Sequence, residues 1–250
     1  MLDLVQVYKD AMKKTLASFK NQGRDALLIF LFPIVFCILL KLIFSSLPRS
    51  LSFGAGFIQF IVSMYLLTYY LAMLYLFLKG RPLTKAGIQG EARGILSNIW
   101  TVSLVLWLVQ LLLSSFIGPE IIAILLFLFV NPVNEMVYIS GDRPGDLPQH
   151  FLDFYRVNGL HWLLALLIYL VVMASLGGTT LLSYMVFNET VPETVYGPVG
   201  LLGINLFRSA YPYLLLQVIH CFYVVFRGHL YTILSTSNPR KRAYMREWEQ

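Results

Sequence analysis

The chain has 250 residues, of which 58% are apolar and 13% charged, with a formal net charge of +6. Soluble globular domains carry about 25% charged residues, so this composition excludes an ordinary soluble domain. The basic residues are spread among apolar runs rather than gathered on one folded module, which argues against nucleic acid as a partner.

Residues 1–24 open the chain with Val5, Tyr8, Met12, Leu16 and Phe19 at three- and four-residue spacing, and with Lys9, Lys13, Lys14 and Lys20 on the remaining arc. That period predicts an amphipathic helix. A basic polar face beside an apolar span places such a helix in the headgroup plane. There it would serve as an anchor for the first span or as a docking surface.

Six apolar runs follow, at residues 26–45, 53–78, 99–117, 121–138, 159–187 and 200–226, and a basic tail occupies 228–250. About 20 apolar residues cross a ~30 Å hydrocarbon core. The expected fold is therefore an all-α integral membrane protein, a single domain built as a bundle of about six transmembrane helices with an N-terminal interfacial helix. With both termini cytoplasmic, all but Lys41, Arg49 and Arg208 of the 19 basic residues fall on the inner side. This follows the positive-inside rule and predicts a multi-pass protein of the cytoplasmic (inner) membrane. Its first partner would be a lipid bilayer with an anionic inner leaflet, which attracts each basic side chain near the surface by about 1 kcal/mol. Cys37 and Cys221 fall inside spans and read as small apolar fillers. No small-residue cleavage site follows the first span, so a removable signal peptide is not expected.

Two loops expected on the inner side echo one another. Gly80–Arg81–Pro82 follows the second span, and Gly141–Asp142–Arg143–Pro144 follows the fourth. Each is followed by a segment, 89–96 and 150–157, that could form a short interfacial helix. An Asn then precedes a Trp at the start of the next span (Asn98 and Trp100, Asn158 and Trp162). Trp suits the aromatic belt at a membrane interface. Further along, Gly177–Gly178 inside the fifth span marks a site for a bend.

The polar residues within the spans are the candidate site. In the fourth span Asn131 and Glu135 are four apart and share a helix face. Pro132 between them removes a backbone hydrogen bond, so a kink or unwound turn is expected, with Asn134 beside it. A carboxylate in a lipid-spanning segment is costly and marks a functional site or an ion pair. Arg227, at the inner end of the sixth span, is the natural partner. The same span carries Gln217 and His220, which share a face with Arg227. His161 opens the fifth span. His161 and His220 are weak candidates for holding a haem, but the sequence requires no cofactor, and no metal-ligand spacing is present. The chain also lacks HExxH, GxSxG and Walker A patterns. The expected function is that of a non-enzymatic subunit or assembly factor of a larger membrane protein complex, with membrane protein partners. The alternative is a small transporter or channel with a polar path around Glu135, Asn131, Gln217 and His220.

Overall fold

The computed structural model describes residues 2–45, 52–113, 131–187 and 210–236, with isolated positions between 116 and 125. It is all-helical, with no strand among the described residues. In chain order the helices are α1 (Leu2–Asn21), α2 (Gly23–Ser45), α3 (Ser52–Leu78), α4 (Lys85–Leu113), the short α5 (Val133–Glu135) running into a π-helical turn (Met136–Ser140), α6 (Leu147–Phe187) and α7 (Ala210–Thr236). Among the described residues, three helices contain stretches long and apolar enough to cross a membrane: Ile61–Leu78 in α3, Leu147–Leu176 in α6 and Leu214–Thr236 in α7. The chain is a membrane protein on that evidence. Residues 46–51 with Arg49, residues 188–209 with Arg208, and the tail beyond Thr236 lie outside the described residues, as do the side chains of Cys37 and Lys41.

Helix α3 is the hub. Leu67, Tyr70, Leu71, Leu74 and Phe77 are fully buried, and α3 packs against α2, α4 and α7. Helix α7 in turn packs against α1 and α6. The outside of this bundle is aliphatic rather than polar. Leu160, Leu167, Ile168, Val171 and Leu176 form an exposed stripe along α6, and Leu214, Leu215 and Val218 do the same on α7. So large a contiguous apolar surface is unfavourable in water, whereas lipid tails solvate it.

The two echoing loops share a left-handed glycine but close with different hydrogen bonds. Gly80 and Gly141 are the described residues with positive φ, at 68° and 74°, a conformation that side-chain-bearing residues rarely adopt. At the end of α3, Gly80 N–H donates to the Phe77 carbonyl and Arg81 N–H to the Leu76 carbonyl, which is the paired closure of a Schellman cap. After the π turn, Asp142 N–H donates to the Met136 carbonyl at 3.1 Å. The two flagged asparagines also act alike. Asn98 Nδ2 donates to the Asp142 carbonyl and Asn158 Nδ2 to the Leu234 carbonyl, so each ties a helix to a neighbouring chain end.

Helix continuity differs from the sequence expectation in three places. The segment 89–96 is not a separate interfacial helix, because α4 runs unbroken from Lys85 to Leu113. Likewise 150–157 is the first part of α6, which continues through Gly177–Gly178 to Phe187. Helix α7 extends to Thr236, so residues 228–236 are helical rather than part of a tail. Charged residues such as Arg93 and Arg156 end a hydropathy window without interrupting the i to i−4 ladder, since Arg is a good helix former.

Helix α1 also packs on an unexpected face. The residues it buries are Val7, Ala11, Thr15 and Ser18, set against α7. Phe19 stacks on Phe222 at 5.8 Å, and the Tyr8 hydroxyl donates to the His161 carbonyl at 2.6 Å. Burial pushes that hydroxyl up to about 12, so it stays a proton donor across the physiological range. The large apolar residues Val5 and Leu16 are 62% and 56% exposed. Small residues let two backbones approach closely, which is how helices associate in membranes. On this packing, Ala11→Leu should lower stability by about 1–3 kcal/mol through overpacking, while Leu16→Ala should change it by less than about 0.5 kcal/mol. Thermal unfolding of the two variants in one detergent checks the order.

Candidate functional site

The site forms where the interrupted fourth segment meets α6 and α7. Asn131 and Pro132 lie in a turn. Pro132 carries no N–H to donate to a preceding turn, and a helical turn begins after it with Met136 N–H donating to the Pro132 carbonyl at 3.0 Å. The single turn of α5 then widens into the π-helical turn. π turns recur at functional sites. Here the break frees the Asn131 carbonyl from its role in a regular helix and aims the Glu135 carboxylate at α7.

Arg227 receives both groups. Its Nε donates to Glu135 Oε1 at 2.9 Å, and one Nη donates to Oε2 at 2.6 Å and to the Asn131 carbonyl at 2.9 Å. Glu135 is 2% exposed and Arg227 5%. Three charge-assisted hydrogen bonds in a planar fork are geometry that Lys cannot reproduce. The guanidinium also lies over aromatic rings, 5.2 Å from the centre of Trp162 and 5.8 Å from that of Tyr223. Cation–π contact of this kind stabilises a desolvated cation by about 2 kcal/mol. Asn134, on the next residue, is buried as well.

The remaining candidates on α7 divide. His220 Nδ1 lies 2.6 Å from the Tyr169 hydroxyl, and Tyr169 stacks face to face on Tyr223 at 3.8 Å. His220 is thereby linked to Arg227 through two tyrosines. Gln217 is fully buried, and neither its amide oxygen nor its nitrogen has a hydrogen-bond partner among the described residues. The same is true of the Asn131 amide. A buried polar group left unpaired destabilises by about 1–3 kcal/mol. By helical rise Gln217 stands about 15 Å from Arg227 along α7, so the two amides belong to separate levels.

The two histidines weighed as haem ligands are not brought together. His161 is held by α1, with its Nε2 3.3 Å from Asp3 Oδ2. His220 is engaged at the level of Tyr169, eight residues and about 12 Å further along α6. Among the described residues no group of three His, Cys, Asp or Glu is placed to hold a metal ion. Cys221 is a buried free thiol.

Several participants were not singled out from sequence. Trp162, which suits an interfacial aromatic belt by its place in the sequence, is 1% exposed and faces Arg227. Tyr223 carried a usable signal, since it precedes Arg227 by four residues and shares its face. His229 is buried beneath α1 with its Nε2 2.9 Å from Ser18 Oγ. Comparison with protein-family models, with curated proteins and with solved structures finds no match.

A carboxylate bonded on both oxygens and a guanidinium caged by aromatic rings form a closed unit rather than an open binding site. Removing one partner of a buried pair leaves an uncompensated charge and destabilises by about 3–5 kcal/mol. Glu135→Gln and Arg227→Gln should each do so. Arg227→Lys should recover less than half of the loss, because a point charge cannot reach two carboxylate oxygens and the Asn131 carbonyl together. Thermal unfolding in detergent measures all three.

Proposed function

We propose that the chain is a non-enzymatic polytopic protein of the cytoplasmic (inner) membrane that works as a subunit or assembly factor of a larger membrane complex. In this reading it crosses the bilayer six times with both termini cytoplasmic. The asymmetry of basic residues supports that orientation. Helix α1 lies at the inner surface, with Val5, Met12 and Leu16 toward acyl chains, the lysines toward headgroups, and Ala11, Thr15 and Ser18 against α7.

The observation that carries the reading is the sealed Glu135–Arg227 pair. It occupies the best catalytic or ion-binding candidate with a structural task, that of fastening a broken helix to its neighbour. The lateral faces of α6 and α7 are smooth, apolar and exposed, as a face packed against other membrane helices would be. The unpartnered amides of Asn131 and Gln217 favour the second reading, a small transporter or channel, because polar groups at two levels could serve a solute crossing the bundle.

Extraction in a mild detergent followed by native electrophoresis separates the two. A stoichiometric partner that stays with the wild type supports the subunit reading. A chain that runs alone, together with solute flux in proteoliposomes that Gln217→Leu abolishes while the fold is kept, would replace it with the transporter.

A further inference from the structure

A cavity of about 540 Å³ opens between α1, the end of α3 and α7. Its polar lining comes from Lys14, Ser18 and Asn21 of α1 and the adjoining Gln22, from Lys79 at the end of α3, and from His229 and Thr232 of α7. No Asp or Glu lines it. Two ammonium groups, hydroxyls and amides without a single carboxylate make a lining that rejects cations and attracts anions.

Its depth is as telling as its charge. The apolar stretch of α3 ends at Leu78, and Lys79 and Gly80 of the following cap form the rim. The cavity therefore lies at the level where a span leaves the hydrocarbon and headgroups begin. Tyr75, one turn inside, faces the same cavity, with Lys79 Nζ 5.6 Å from its ring centre. An aromatic wall below two lysines fits a ligand with a charged head and an apolar root. Basic pockets between membrane helices at this depth hold phosphate headgroups.

We infer that the cavity walled by Lys14, Ser18, Lys79, His229 and Thr232 is a binding site for a phosphate-bearing anion, supplied by the headgroup of an anionic phospholipid. Lys14 and Lys79 neutralise the phosphate. Asn21 offers hydrogen bonds to its oxygens, and Ser18 does so when His229 Nε2–H donates to its hydroxyl, whereas the Thr232 hydroxyl donates to the Gly228 carbonyl and only lines the wall. The bound headgroup clamps α1 to α3 and α7. This inference rests on the bilayer placement of the chain and not on its being a subunit.

The test uses the full chain reconstituted in vesicles of equal phosphatidylglycerol and phosphatidylcholine, with retained lipid counted by native mass spectrometry. The wild type should keep phosphatidylglycerol in preference to phosphatidylcholine. K14Q/K79Q should weaken that retention about thirtyfold, from about 1 kcal/mol per lysine. K9Q/K13Q, exposed on α1 and outside the cavity, removes only attraction at the open surface and should weaken retention far less. K79E, at an exposed helix end, should reproduce the loss with an unaltered helical circular dichroism spectrum. Stabilisation by inorganic phosphate in phosphatidylcholine alone, lost in K14Q/K79Q, would uphold the anion site with a soluble phosphate compound as its source. Equal retention by both double variants, with no response to inorganic phosphate, would overturn the site. A wild-type chain released from membranes by carbonate would overturn the bilayer placement and the site with it.

Discussion

The bond between Glu135 and Arg227 is the constraint from which the rest of the bundle's interior follows. A helix that begins only after Pro132 leaves the Asn131 carbonyl without a place in its ladder, and a hydrocarbon environment cannot solvate that group. Arg227 meets that demand directly, since the same Nη that grips Glu135 also takes the Asn131 carbonyl. The break and the ion pair are thus one device. The carboxylate needs the cation, and the orphaned carbonyl needs its second hydrogen. The guanidinium has enough donors to serve both. Trp162 and Tyr223 close the remaining sides, joining α6 to the same centre.

Around this centre the protein uses two kinds of surface that hydrophobicity alone does not tell apart. In water an apolar face is buried because water rejects it. In a bilayer lipid tails are as apolar as leucine, and helices associate through close packing and hydrogen bonds instead. Helix α1 illustrates the result. Val5, Met12 and Leu16 point outward, while Ala11, Thr15 and Ser18 are buried against α7 together with the rings of Tyr8 and Phe19. The Ser18–His229 contact and the Tyr8 bond to His161 then pin it to two helices.

That difference marks how far the sequence could be read. Long helices, the interruption at Pro132 and the pairing of Glu135 with Arg227 were accessible, because proline chemistry and the cost of a buried charge leave few alternatives. Helix ends were not, since Arg93 and Arg156 end an apolar run without ending a helix. Nor was the packed face of α1, because a periodic pattern of Val, Met and Leu reads the same whether it meets lipid or protein. The aromatic cage around Arg227 lay between these cases. Tyr223 was within reach of simple helix spacing, whereas Trp162 comes from another helix, and only the fold brings it close.

A double-mutant cycle on Glu135 and Arg227 tests the central claim most directly, with Glu135→Gln, Arg227→Gln and the pair compared by reversible unfolding in the same micelle. Side chains in direct contact couple by about 0.5–3 kcal/mol, and with single losses of about 3–5 kcal/mol the account expects a coupling of about 3 kcal/mol or more, the double variant being little worse than either single one. Losses that simply add would mean that the two charges do not support each other, and that the broken helix is held to α7 by something else.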